Sequence, residues 1–203
     1  MAEPVYDLII TNGTLATHET SETVDIAITD GRFAALGSVS AEQGREHIDA
    51  TGLTILPGVI DTQVHFREPG IEHKEDLQSG SLAAVMGGVT GVFEMPNTKP
   101  PTTTAEAVED KVARATNRMH CDFAFYVGGT HENAAELAQL EKMTGVCGVK
   151  VFMGSSTGNL LVPDDNGVAD ILKSIRRRAA FHSEDEFRLR ERRSLAETGK
   201  VET

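Results

Sequence analysis

At 203 residues, 39% of them hydrophobic and 25% charged, the chain has the composition of an ordinary globular protein with a real core, not of a disordered or fibrous one. Its net charge of −12 argues against nucleic acid as a partner, and no run approaches the roughly 18 apolar residues of a membrane span. The opening Met1-Ala2-Glu3-Pro4 lacks the basic start of a secretion signal, and Cys121 and Cys147 have no C-x-x-C spacing and read as reduced thiols, so a cytoplasmic location is expected.

Residues 4–55 read as short strands and tight turns: Val5 to Thr11, Asn12-Gly13, Thr23 to Thr29, Asp30-Gly31, then Arg32 to Leu36. Asn-Gly and Asp-Gly tolerate the positive φ that a type I′ hairpin demands, so at least one hairpin is expected. This part is a small β module, in which His18 and His47 are surface residues.

From Leu56-Pro57-Gly58 the pattern changes. Val59 and Ile60 lead into Asp61, Gln63, His65, Arg67 and Glu68 before Pro69-Gly70 breaks the chain, which is a buried strand ending in polar chemistry. Further strands are predicted at Val89 to Met95, Asp122 to Val127, Val146 to Met153, and Arg178 to Phe181, the last ending at His182. Between them, Thr103 with Glu106 and Asn133 with Glu136 have the spacing of helix caps. Val168, Ile171, Leu172 and Ile175 recur at helical spacing, Glu184-Asp185-Glu186 suits a helix start, and the arginines at 176–178 and 188–193 read as a solvated helix face. Strands alternating with helices predict an α/β fold with a parallel sheet.

The polar strand ends at His65, Asn97, Gly128, Lys150 and His182 are spaced by 32, 31, 22 and 32 residues. A complete eight-stranded β/α barrel takes about 250 residues, whereas Gly58 to Thr203 is 146 residues with five strand signals. The expected fold is therefore a partial (β/α)8 barrel of about five units over residues 56–203, preceded by the β module over 1–55.

A barrel gathers strand ends on one rim. His65 and His182 could help to hold a metal there, though two histidines alone read equally well as a core or surface pair. Lys150 could join them only as an anion, such as a carbamate. Arg67 offers a planar cation suited to a carboxylate, against the alternative of a surface ion pair. Asn97 offers donor and acceptor, against a turn or cap. The run Gly154 to Gly158 has the composition of a phosphate loop but lacks its Gly-Lys-Ser/Thr ending, and nucleotide binding is discounted. His73, His120 and His131 read as solvated.

Taken together, Leu56-Pro-Gly-Val-Ile-Asp61, His65-Phe-Arg67-Glu-Pro-Gly70, Gly88-Val-Thr-Gly-Val-Phe-Glu-Met-Pro-Asn97-Thr, Gly148-Val-Lys150-Val-Phe-Met-Gly and Phe181-His182-Ser-Glu-Asp185 resemble the cyclic amidohydrolases, and among them the dihydroorotases. The resemblance implies a β-sandwich of which residues 1–55 are one part. It also implies one or two zinc ions held by His65, a carbamylated Lys150 and His182, with Arg67 and Asn97 holding the carboxylate of dihydroorotate. The implied reaction is the reversible hydrolysis of that cyclic amide to carbamoyl aspartate, in pyrimidine synthesis. The partner is a small molecule, and self-association is left open.

Two departures from the family pattern qualify this. Gln63 is the fourth candidate metal ligand, standing where the family has the first histidine of His-x-His, but an amide is a poorer zinc ligand, so a mononuclear site is an alternative. The family's catalytic aspartate lies on later strands, so no catalytic residue is assigned here and turnover by these residues alone is not expected. An allantoinase or hydantoinase, which the Lys150 segment also fits, and a non-catalytic scaffold are the competing readings.

Overall fold

The computed structural model describes residues 5–154 and 159–199, and the chain divides into two compact units, Met1–Gly58 and Val59–Thr203. In the first, β1 (Tyr6–Ala16) runs antiparallel to β2 (Ser21–Thr29) and parallel to both β4 (Gly44–Asp49) and β5 (Thr54–Ile55), while β3 (Arg32–Gly37) pairs antiparallel with β2. Ile9, Ile26, Ala27 and Ala50 are its buried apolar residues, and Ile9 and Ala27 lie opposite each other in the ladder.

The two expected turns part company. Asp30 and Gly31, with φ of 52° and 68°, connect β2 to β3 as the I′ signature requires. A Cβ at Gly31 would meet nothing within 4 Å, so Gly31→Ala should cost only the left-handed backbone penalty, about 1 kcal/mol in a urea titration. Asn12-Gly13 makes no turn. It lies inside β1, where the register with β2 slips between Ile10 and Gly13, and Asn12 takes φ 62° as a bulge residue. Its backbone N–H donates to Asp25 and its side-chain amide donates to Asp49, so side chains from two other strands hold the bulge open. The chain reverses instead at Thr17–Thr20, where the Thr17 N–H donates to the Thr20 carbonyl.

The second unit is a half-barrel. Its strands β6 (Val59–Val64), β7 (Val89–Glu94), β8 (Asp122–Gly128), β9 (Val146–Phe152) and β10 (Ala179–His182) lie in chain order in one parallel sheet, as the alternating pattern predicts. The helices are α1 (Leu77–Met86), α2 (Ala105–Ala115), α3 (Leu137–Leu140), α4 (Asp165–Ser174) and α5 (Glu186–Glu197). Four start on the same device: Asp76, Thr104, Asp164 and Asp185 each accept from the backbone N–H three residues on. The α2 cap is thus Thr104 and not the expected Thr103.

Asn133 is not a cap either. It is buried, its oxygen accepts from Thr130, and its amide donates to the carbonyls of Thr103 and Gly128, so it stitches loops together while α3 begins without a side-chain cap. On α4, Ile171 is fully buried but Leu172 is 48% exposed, because adjacent positions diverge by 100° around a helix. Arg188 to Arg193 do lie on α5, whereas Arg176 and Arg177 follow α4 and donate backbone N–H groups to the buried carboxylate of Glu141. Valines of β8 and β9 pack with Leu137, Leu140 and Ile171 in one core, and Phe66, Leu77, Val92, Ala115 and Phe125 form a second. On the edge strand β6, Val59 and Ile60 remain more than half exposed. Among the described residues no helix is long and apolar enough to cross a membrane.

Both cysteines are free. Burial raises the thiol of Cys121, and it pushes that of Cys147 up to about 12. Since the thiolate is the reactive form, Cys147 should resist iodoacetamide at pH 8 in the folded protein and react after unfolding in urea, as peptide mass mapping would read.

Candidate functional site

Parallel register is what brings the polar strand ends together. Val64 pairs with Glu94 and Phe152 with His182, so His65, just beyond β6, Asn97, just beyond β7, Lys150, near the end of β9, and His182, closing β10, all lie toward one end of the sheet. Three contacts carry this from register to chemistry. His65 Nδ1 lies 2.8 Å from Asn97 Oδ1, and the Phe152 ring stands 5.1 Å from Lys150 Nζ and 6.1 Å from the His182 ring.

The Asn97 oxygen only accepts, so the proton of a neutral His65 sits on Nδ1 and leaves the Nε2 lone pair free. His65 is held below the usual histidine range chiefly by burial. The Asn97 bond works the other way, and the positive charges of Arg67, Lys150 and Lys111 add to the lowering. Cations from three separate elements thus act on one imidazole.

Lys150 is 2% exposed, and among the described residues the Phe152 ring is the contact its ammonium makes. Burial lowers its pKa, which favours the neutral amine. His182 is partly exposed and its Nε2 is engaged by the Glu184 carboxylate. Gln63 is exposed on β6, where one extra residue between Asp61 and Val64 breaks the register, and its backbone N–H donates to the Asp61 carboxylate.

Arg67 is half-buried with φ 68°, and its positive charge favours the ionised form of the Glu94 carboxylate. Glu94 and Lys111 form a fully buried ion pair, and Lys111 Nζ also donates to the Met95 carbonyl at 3.0 Å. Burial drives both toward their neutral forms, Glu94 up to about 7 and Lys111 down, while each charge favours the other. Next to it, the buried Glu68 accepts from the Leu77 N–H and from both terminal nitrogens of Arg118, which ties the loop after β6 to α1 and to the turn that follows α2. Neither carboxylate figured in the sequence reading as a site residue. A signal existed for Lys111, which falls on the buried face of α2 with Val108 and Ala115, where an unpaired lysine could not stay.

Residues 52–153, half of the chain, match the sequence family described as dihydro-orotase-like. The chain belongs to that family. The fold agrees: this dihydro-orotase-like chain superposes with a TM-score of 0.91 on an L-hydantoinase (dihydropyrimidinase) from Arthrobacter aurescens, at 28% identity over 97% of this chain and 45% of that one. A D-hydantoinase superposes at 0.79, also 28% identical, over 93% and 43%. Among curated relatives, an allantoinase of Rubrobacter xylanophilus is 40% identical over 167 residues, 82% of this chain and 36% of its own length. An allantoinase of Salmonella choleraesuis is 37% identical over 151 residues, 74% and 33%. The chain spans about a third of the length of these relatives. The resemblance to dihydroorotases therefore holds for the family, the cyclic amidohydrolases, while the individual relatives point to allantoinases and hydantoinases.

The donor set can be tested against a metal. Among the described residues no three His, Cys, Asp or Glu side chains cluster as a ready cage. His65 fits, because Asn97 holds Nδ1 and frees Nε2. Lys150 fits as a buried amine of lowered pKa, able to become an anionic carbamate. His182 has the right chemistry but is held by Glu184, and Gln63 offers a neutral amide, a poorer donor than imidazole.

Proposed function

We propose that these residues form the metal-holding and substrate-holding half of a cyclic-amide hydrolase site of the allantoinase and hydantoinase type. The observation that carries the reading is the His65–Asn97 bond. It commits the Asn97 oxygen to the imidazole, and it agrees in direction with the 40% identity to an allantoinase and the close superposition on a hydantoinase.

The roles follow from the chemistry of each side chain. His65, through Nε2, and Lys150, as its carbamate, hold a divalent ion, zinc being the expected one. His182 joins them when Glu184 lets it go, and Gln63 is not a ligand. The metal, when bound, activates water and polarises the ring carbonyl. Arg67 holds the carboxylate that appears when the ring opens, its planar fork matching that group. The apolar Phe152 ring helps to keep the Lys150 amine desolvated, which favours the neutral form, whose lone pair can attack carbon dioxide and, with loss of a proton, give the carbamate.

Dihydroorotate is the second reading, favoured by Arg67, since that substrate carries a carboxylate before the ring opens. The test is calorimetric titration of the zinc-loaded chain with hydantoin, allantoin and dihydroorotate. Tighter binding of hydantoin or allantoin is expected. Binding of dihydroorotate alone, lost in Arg67→Met, would return the assignment to dihydroorotase, and binding of none would remove the hydrolase reading.

A further inference from the structure

We infer that Glu68 is the positioning residue for Arg67: its carboxylate, gripped by Arg118 and by the first amide of α1, fixes the stretch of backbone from which the Arg67 guanidinium must reach an anion. This rests on the proposed role of Arg67 in holding a carboxylate.

Arg67 lies in a stretch of chain whose other members are each held. His65 is bonded through Nδ1 to Asn97 Oδ1 at 2.8 Å. Phe66 is buried in the core it shares with Leu77, and its ring lies so close to Gly80 of α1 that a Cβ there would not fit. Glu68, 4% exposed, accepts from the Leu77 N–H at 3.0 Å and from the two terminal nitrogens of Arg118 at 2.7 and 3.2 Å. Beyond it the Pro69 carbonyl accepts at 2.9 Å from the N–H of Lys99, two residues past Asn97. Between these fixed points Arg67 takes φ 68°, a left-handed conformation that costs an L residue and persists only where its surroundings impose it. Its carbonyl accepts from the Ile71 N–H at 3.1 Å, which closes the turn.

The Glu68 carboxylate does what an apolar side chain could not. Leu77 opens α1, so its N–H has no partner within the helix, and Glu68 supplies one. The two N–H groups of Arg118 form a fork that sets the plane of the carboxylate as well as its place. A buried ion pair is an inefficient way to gain stability, since apolar residues of similar size do as well or better. One that ties the residue after Arg67 to α1 and to the turn beyond α2 has a geometric use.

The probe is N-carbamoylglycine, the ring-opened form of the simplest hydantoin, titrated calorimetrically into the zinc-loaded chain, with zinc retention after dialysis read on the same samples. Arg67→Met should weaken binding about tenfold or more. Glu68→Leu removes the acceptor, whereas Glu68→Gln keeps a carbonyl oxygen for the Leu77 N–H and one N–H of Arg118. Glu68→Leu should weaken binding as much as Arg67→Met, add nothing on the Arg67→Met background, and leave zinc retention unchanged. Glu68→Gln should restore most of the affinity. Wild-type affinity in Glu68→Leu, additive loss with Arg67→Met, or zinc lost along with the ligand overturns the positioning role. Wild-type affinity in Arg67→Met, or no binding by the wild type, instead removes the anion-holding role from the proposed function, and the inference with it. Hydrogen exchange of the unmutated protein needs no variant to fold: the Leu77 amide should be protected like those in the middle of α1, and exchange as fast as at a frayed helix start overturns the inference.

Discussion

Lys111→Met will lose about 3–5 kcal/mol of stability, because it strands the Glu94 carboxylate, 1% exposed, without its counter-charge. Methionine keeps the length and apolar stem of lysine, so cavity formation contributes little and the cost is that of a buried unpaired acid. Two controls fix the interpretation. Pairing the change with Glu94→Leu should recover most of the loss, since removing both ions also removes the desolvation they share. Lys173→Met, which breaks an exposed pair with Asp170 at 3.0 Å, should stay within about 0.5 kcal/mol. Urea unfolding followed by far-ultraviolet circular dichroism reads all three. Equal effects at Lys111 and Lys173 would show that burial does not decide the outcome.

The same pair marks the limit of what a linear chain displays. The barrel strands were legible because a buried parallel strand must be nearly continuous in apolar residues and must stop where polar groups reach the rim, and Val89 to Glu94 and Val146 to Phe152 do both. The placement of His65, Asn97, Lys150 and His182 toward one end of the sheet was legible for the same reason. Asn12-Gly13 misled because positive φ serves a bulge as well as a turn, and the decision was made by Asp25 and Asp49, 13 and 37 residues away. Asn133 misled because its partners, Thr103 and Gly128, belong to other loops. Glu94 sat in full view within a strand, but its meaning needed Lys111 on a helix, 17 residues away, a meeting of two elements that no local pattern encodes. Gln63 was legible only as a departure from His-x-His, and its exposure is shared by Val59 through Thr62 on the same strand. Ser155 to Gly158, the centre of the glycine-rich run, lie outside the described residues.

Lys150→Met will abolish metal retention, and with it the binding of hydantoin or allantoin to the zinc-treated chain. The argument starts from burial. An ammonium at 2% exposure, with an aromatic ring as its contact, is costly to keep charged, and its lowered pKa expresses that cost. As a neutral amine it can take up carbon dioxide and become an anion, which a cation beside His65 Nε2 would stabilise. Methionine fills the same space and can do neither. Removing so direct a donor should cost more than the about 10–100-fold in metal affinity lost when only a hydrogen bond behind a ligand is removed. Asn97→Leu, which takes the acceptor from His65 Nδ1, supplies that smaller loss as an internal scale. The measurements are zinc content after dialysis and carbon-13 NMR after exposure to labelled bicarbonate, where a carbamate carbonyl signal is expected in the zinc-loaded wild type and not in Lys150→Met. Full zinc retention by Lys150→Met would place the ion elsewhere, and zinc retention without a carbamate signal in the wild type would leave Lys150 a buried neutral amine with no part in holding it.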